Sequence, residues 1–323
     1  MDKISVGESG VTAFAPATIG NVSCGFDLLG LAVNEPGDYV NVNLNYDRKV
    51  NIIRIDGDGG KLPLDVDKNT AGMVVKALKK HIQKSRGLDI ILKKDLPICS
   101  GMGSSAASAV AALVAANEIY GNKLTKEELI PFALQAEAKV SGSVHGDNAL
   151  PCLLGGIILI TGYKPKLKYV RIPVPKKVWV TLVHPDFEIS TAMARDLIPE
   201  SLEIKKVIKQ NACLAGFIAG CYSNNLDLIK NGLKDYIAEP KRAKLIKSFP
   251  QMKMAVEKIG GFNLGISGSG PSVFSFTSDK NIATKVGRTV QKFFYQNKVN
   301  CQIYISRINK EGATVVKSAA NKV

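Results

Sequence analysis

The stretch Pro97-Ile98-Cys99-Ser100-Gly101-Met102-Gly103-Ser104-Ser105-Ala106-Ala107 is a Gly/Ser loop that runs straight into an Ala-rich segment. Two glycines allow a tight turn and let a ligand approach the backbone without Cβ interference. Ser104 or Ser105 stands where a helix N-cap is expected. The helix that follows, to about Tyr120, holds seven alanines, no proline and no internal glycine. Its first turn offers N–H groups and the positive end of the helix dipole, which suits a phosphate. A hydroxyl of Ser104 or Ser105 can also ligate Mg2+, a hard cation that favours oxygen. A capped core helix after a polar turn fits the same residues. Two other phosphate loops are excluded. Gly-x-x-x-x-Gly-Lys-Ser/Thr is absent, and so is the third glycine of the dinucleotide fingerprint.

Other polar groups are set for recognition. In Ala15-Pro16-Ala17-Thr18-Ile19-Gly20-Asn21-Val22-Ser23-Cys24-Gly25-Phe26-Asp27, Asn21 and Asp27 together suit an ammonium or hydroxyl group, while Asx turns explain the same residues without a ligand. Glu137, near a helix end, gains nothing from the dipole there; it is a surface residue or a metal ligand. His145 lies in a second polar loop, Ser141 to Asn148, where a structural histidine is the plainer reading. Gly265-Ile266-Ser267-Gly268-Ser269-Gly270-Pro271-Ser272 packs three glycines into eight residues. It reads as a close approach to phosphate or to the first glycine loop, or as a tight hairpin.

The elements that must position these groups follow from periodicity and punctuation. Val11 to Phe14 reads as a strand that ends in the loop from Ala15. Alternation gives strands at Asp38–Leu44, Val50–Ile55 and Leu88–Lys93. Asn69 or Thr70 caps a helix to about Ser85, and Thr125-Lys126-Glu127-Glu128 opens another to about Val140. The run Gly155–Thr161 is a buried strand, with one more near Tyr169. The Lys/Pro-rich tract Tyr163–Lys177 marks a domain edge, dividing the chain at about 165/166. Beyond it come a strand (Val178–His184), a helix holding Thr191 and Arg195, helices at Glu203–Tyr222 and Met252–Ile259, and Lys241-Arg242 in a polar connection. Strands flank the third glycine loop, and the chain closes with a helix (Asn281–Gln296) and strands at Cys301–Ile308 and Gly312–Lys317.

Composition bounds the function. The 323 residues are 46% hydrophobic and 22% charged, as in an ordinary globular protein large enough for two domains. No apolar run is long enough to span a membrane, and Met1-Asp2-Lys3-Ile4-Ser5 lacks the apolar core of a signal peptide, so a cytoplasmic location is expected. Six scattered cysteines form neither a disulfide framework nor a zinc site. The net charge of +15 comes from dispersed lysines without interleaved aromatics. It fits a field that draws anionic substrates better than a nucleic-acid surface.

The three loops together resemble the signature motifs of the GHMP small-molecule kinases, in order and spacing, from about Val11 to Ile308. Asn-x-x-x-Gly-Phe-Asp, Ser-Gly-x-x-His-x-Asp-Asn and Ile189-Ser-Thr…Ala194-Arg195 narrow the resemblance to the branch whose acceptor is an amino acid. Met102 stands where the family commonly has Leu, a volume-conserving change. The resemblance implies an α+β fold: an N-terminal nucleotide-binding domain (1–165) and a C-terminal ferredoxin-like domain (166–323). It implies transfer of the ATP γ-phosphoryl group to the side-chain hydroxyl of L-homoserine, in a homodimer. It places Pro97 to Ala107 around the ATP phosphates, Ser105 and Glu137 on Mg2+, and Asn69 on the adenine. Asn21, Asp27, Asn148, Arg195 and Arg242 would bind the amino acid, with Thr191 and His145 lining the same site. Asp27 suits an ammonium, and the arginines suit a carboxylate. No lysine partner for an aspartate base stands out in the motifs.

Overall fold

A computed structural model describes residues 10–141, 145–164 and 166–316. The loop residues 142–144 and the end of the last expected strand, Lys317, lie outside the described residues.

The first ten elements are β1 (Val11–Gly20), β2 (Leu29–Asn45), β3 (Val50–Asp56), α1 (Thr70–His81), β4 (Gly87–Lys93), α2 (Ser104–Ile119), α3 (Lys126–Ser141), α4 (Ala149–Leu154), β5 (Ile157–Gly162) and β6 (Lys168–Ile172). Their strands build a sheet of order β11-β1-β2-β4-β3, completed by β11 (Thr314–Val316), with the β5–β6 hairpin joined to the start of β2. β2 is the organiser. Its 17 residues pair with β1, with β4 through Tyr39–Asn45 and with β5 through Leu29–Leu31. β3 and β4 run parallel; the other pairs are antiparallel.

Helix α2 lies across this sheet, buried continuously from Ala106 to Asn117. A helix apolar on all sides belongs inside a core, and its alanines let the neighbouring elements come close.

The rest of the chain forms β7 (Trp179–Pro185), α5 (Thr191–Asp196), α6 (Ile204–Ser223), α7 (Leu226–Gly232), α8 (Glu239–Arg242), α9 (Phe249–Lys258), β8 (Gly265–Ile266), β9 (Val273–Thr277), α10 (Lys280–Gln296) and β10 (Cys301–Ser306). The antiparallel sheet has the order β10-β7-β9-β8. Counted along the chain this is 4-1-3-2, the order of a split βαβ, or ferredoxin-like, unit. Helix α10 shows why the pattern forms. Asp279 caps it through Asn281 N and Ile282 N, and Ala283, Val286, Gly287, Val290 and Phe294 make one buried stripe. That stripe joins Val183, Met252, Val256 and Phe249 in a core of its own.

One expectation changes. β1 does not stop at Phe14 but runs to Gly20, passing Pro16 at a register shift where a missing N–H costs no ladder bond. The position 165/166 lies between β5 and β6, and β11 returns to pair with β1, so the second half of the chain supplies two strands to the first sheet.

Candidate functional site

The 97–107 loop leaves β4 and enters α2 through Gly103, the N-cap residue, at φ 69° with no side-chain cap. The serine cap expected from the sequence is therefore not made. The helix begins at Ser104, whose Oγ donates to Leu96 O at 3.2 Å and meets Lys94 Nζ at 2.7 Å. The first helical acceptor serves Ala107 N, bonded to Gly103 O at 2.9 Å. The N–H groups of Ser104, Ser105 and Ala106 thus have no intrahelical partner, and the dipole adds positive character there.

The two glycines are also required by the protein's own packing. A Cβ on Gly101 would lie 2.3 Å from Ser267 O, and one on Gly103 would lie 2.0 Å from Thr18 Oγ1. The space is taken by the protein's own loops. Both residues also have left-handed φ, 74° and 69°.

The third glycine loop braces the other two. Ser267 Oγ donates to Gly101 O at 2.7 Å, and Ser272 N donates to Ser100 O at 3.2 Å. Gly268 N donates to Gly20 O at 3.1 Å, and Gly268 O accepts from Asn21 Nδ2 at 3.1 Å and Arg242 Nη1 at 2.9 Å. Behind it, buried His184 on β7 holds Ser272 Oγ at 3.0 Å; burial pushes this imidazole down to about 4, so it is neutral near pH 7. Of the readings open for this stretch, the approach to the first loop is the one realised.

The loop after β1 is strained. Asn21, Val22 and Ser23 have φ of 68°, 43° and 55° in succession, and Asp27 follows at 58°. Left-handed backbone is costly for a β-branched residue such as Val22. Asn21 Oδ1 accepts from Asp27 N at 2.9 Å and ties the loop shut. Asp27 then receives Arg195 in fork geometry, Nη1–Oδ2 2.6 Å and Nη2–Oδ1 2.9 Å. That pairing holds the guanidinium above its ordinary pKa. His145 lies alongside, with Nε2 2.9 Å from Arg195 Nη2. Burial lowers the His145 pKa, Asp27 opposes the shift, and Arg195 and Arg242 add to it. The Phe26 ring meets two cations, with the Arg195 and Arg242 guanidiniums 5.2 and 5.4 Å from its centre. Arg242 itself is buried, its Nε bonded to Ala194 O. Thr191 sits one turn before Arg195, on the same side of α5. Asn148 accepts from Thr18 Oγ1 at 2.8 Å, beside Gly103, and so lies where the two halves of the site meet.

Two oxygen donors fit a divalent cation. Ser105 Oγ is buried without a hydrogen-bond partner among the described residues. Glu137, half-buried on α3 against α2, has its carboxyl pushed up by desolvation. An unsatisfied hydroxyl and a desolvated carboxyl are what a hard cation would relieve. Asn69 caps α1 through Ala71 N and donates to Pro63 O, and its neighbour Thr70 reaches Ser105 O at 3.5 Å.

Sequence reasoning missed three groups. Asp147 is buried, held by the Asn21 backbone N–H, and lifted to about 7 by desolvation and then by Asp27 and Glu137. Its side chain fills the space beside Gly20, where a Cβ would be 2.6 Å from Oδ2. Lys94 and Asp38 form a buried ion pair under the start of α2, joined by Ser108. Burial raises the Asp38 carboxyl, and Lys94 pulls it back. Strand parity could have found this pair: Leu88, Ile90 and Leu92 face inward and so does Lys94; Val42 and Val40 face inward and so does Asp38.

The comparisons with known proteins fit this geometry. Residues 69–156 match the family model described as GHMP kinases N terminal domain, and residues 217–296 match GHMP kinases C terminal. The chain belongs to the GHMP kinase family. Within it, a homoserine kinase of Chlorobaculum tepidum is 44% identical over 322 residues, covering 96% of this chain and 99% of that protein. One from Chlorobium phaeobacteroides is 46% identical over 318 residues, covering 95% and 99%. The crystal structure of homoserine kinase from Cytophaga hutchinsonii superposes with a TM-score of 0.93 at 38% identity, covering 98% of this chain and 99% of that one. An L. major mevalonate kinase, at 14% identity and a TM-score of 0.71, shares the fold.

Proposed function

We propose that this chain transfers the γ-phosphoryl group of ATP to the side-chain hydroxyl of L-homoserine, giving O-phospho-L-homoserine, a step of threonine biosynthesis. The observation that carries the reading is the Asp27–Arg195 pair, tied through Asn21 and Gly268 to the brace on the phosphate loop. A zwitterion supplies an ammonium for Asp27 and a carboxylate for Arg195, replacing one ion pair by two. Arg242 adds positive potential on the carboxylate side, while Asn148 and Thr191 border the hydroxyl. Neutral His145 fills the flank of Arg195 without adding a charge.

Phosphoryl transfer asks chiefly for alignment and charge stabilisation. The loop from Pro97 to Ala107 supplies amides at the head of α2 for the triphosphate oxygens, and Asn69 borders the same loop on the adenine side. Ser105 and Glu137 would hold Mg2+, which when bound neutralises phosphate charge. Asp27, engaged by a guanidinium and then by an ammonium, is a poor base. The acceptor proton passes late, to a phosphate oxygen, with no side chain removing it first. The working form is a cytoplasmic homodimer; light scattering of the purified protein checks the assembly.

The test is ADP release coupled to a chromogenic reporter, with L-homoserine, mevalonate, shikimate and galactose as acceptors, with and without Mg2+. Turnover with homoserine alone, dependent on Mg2+, is the expected result. Turnover with a sugar or mevalonate in its place would overturn the assignment of acceptor.

A further inference from the structure

Lys94 is a buried ammonium whose partners are all at the base of the phosphate loop. It meets Asp38 Oδ2, Ser104 O at 3.0 Å, Ser104 Oγ at 2.7 Å and Ser108 Oγ at 2.9 Å. Asp38 answers with every lone pair it can use. Oδ2 accepts from Lys94 and from Ser108 Oγ at 2.9 Å, and Oδ1 accepts from Asp95 N at 3.2 Å and Leu96 N at 3.1 Å. Three segments are thereby fastened at one point: β2 through Asp38, the chain entering the loop through Asp95 and Leu96, and the first turn of α2 through Ser104 and Ser108. Ser104 Oγ, bonded to Leu96 O and facing Lys94, is fully committed, whereas its neighbour Ser105 Oγ is the unpartnered one.

We propose that Lys94 and Asp38 are positioning residues for nucleotide binding. They fix the pitch of α2's first turn, so that Ser104 acts as a strut and Ser105 as the hydroxyl presented to the ligand. Burying two charges is expensive, and an apolar pair of similar shape packs as well or better; the pair is therefore better explained by aim than by stability. Lys94 acts from beneath the loop, through Ser104, without touching phosphate itself. The inference deepens the phosphoryl-transfer reading and rests on it.

The test is the double variant Lys94→Met/Asp38→Leu, which removes both charges together and so leaves neither one orphaned. Three readouts are taken: the thermal midpoint, the affinity for a fluorescent ADP analogue, and separate KM values for ATP and homoserine. The expected result is a midpoint close to the parent's, ADP affinity and ATP KM worse by roughly tenfold, and homoserine KM within about twofold. Parental ADP affinity in a folded double variant would overturn the proposal. If that variant does not fold, Ser108→Ala removes one arm of the network at little structural cost. ADP binding weakened by about threefold or more supports the proposal, and unchanged binding overturns it. ADP affinity requires no acceptor, so a wrong acceptor assignment and a wrong role for Lys94 give different outcomes.

Discussion

Arg195 grips Asp27 through two hydrogen bonds across 168 residues of chain, joining the loop after β1 to helix α5. The pair is partly accessible, with side chains 36% and 30% exposed. It sits where a small zwitterion can exchange into it, and the arrangement separates two roles for Asp27. A binding carboxylate loses a charge-assisted contact when changed to an amide, whereas a base loses the reaction. Asp27→Asn is expected to raise the homoserine KM by roughly 10- to 100-fold, the size of one charged hydrogen bond, and to keep a measurable kcat. Steady-state kinetics at saturating homoserine decides; a kcat near zero would make Asp27 the base.

The glycine at 101 is required by a neighbour. A methyl there meets Ser267 O at 2.3 Å on top of the cost of φ 74°. Gly59 makes the matching control, since it has φ 64° with nothing within 4 Å. Gly59→Ala should cost about 1 kcal/mol from backbone strain alone. Gly101→Ala should cost more, about 2–3 kcal/mol, and raise the ATP KM as the loop pulls away from its brace. Urea titration and nucleotide kinetics on both variants measure the difference.

Much of this was legible in the sequence, for identifiable reasons. The 97–107 loop, the 265–272 loop and α10 are local signals: glycine clusters, a cap and a 3.6-residue stripe lie within one segment. The family motifs gave the fold through their order. What stayed hidden is non-local. Nothing near Pro16 says that β1 continues to Gly20, because the partner that holds it extended is β2. No local signal shows that β11 pairs with a strand about 300 residues earlier. Asp147 went unread because its significance comes from Asn21, Asp27 and Glu137, distant in the chain. Lys94 reads in the sequence as one of many dispersed lysines, though the parity of β4 turns it inward and Lys93 outward.

The proposed cation site would rest on two residues with separable contributions. Glu137 would supply charge and Ser105 a neutral oxygen that has no other partner among the described residues. Glu137→Gln is expected to raise the Mg2+ concentration for half-maximal rate by roughly tenfold or more. Ser105→Ala should have a smaller effect on that value, and should not destabilise the fold, because it removes a buried polar atom that was unsatisfied. Initial rates across a Mg2+ titration, with thermal midpoints alongside, test both. A destabilised Ser105→Ala would show that the hydroxyl had a structural partner instead.

His184 gives a pH prediction whose sign is fixed by burial. Its folded-state pKa is pushed down to about 4 by desolvation, from an ordinary value near 6.5. Above that ordinary value both states are neutral. As pH falls below it, the unfolded chain takes up a proton that the fold refuses, and stability drops until about pH 4. The full effect is of the order of 3 kcal/mol. Asp147 and Glu239, both lifted to about 7, act with the opposite sign in the same range, because the fold keeps their protons as the unfolded carboxyls release them. The parent's curve alone therefore mixes the two, and a comparison is needed. His184→Gln keeps a polar partner for Ser272 and removes the titration. Relative to the parent, its stability should improve steadily from pH 6.5 down to 4, measured by urea unfolding at each pH. Two parallel curves would mean that His184 takes its proton in the folded state without penalty, and that the strut behind Ser272 and Ser100 tolerates a charge.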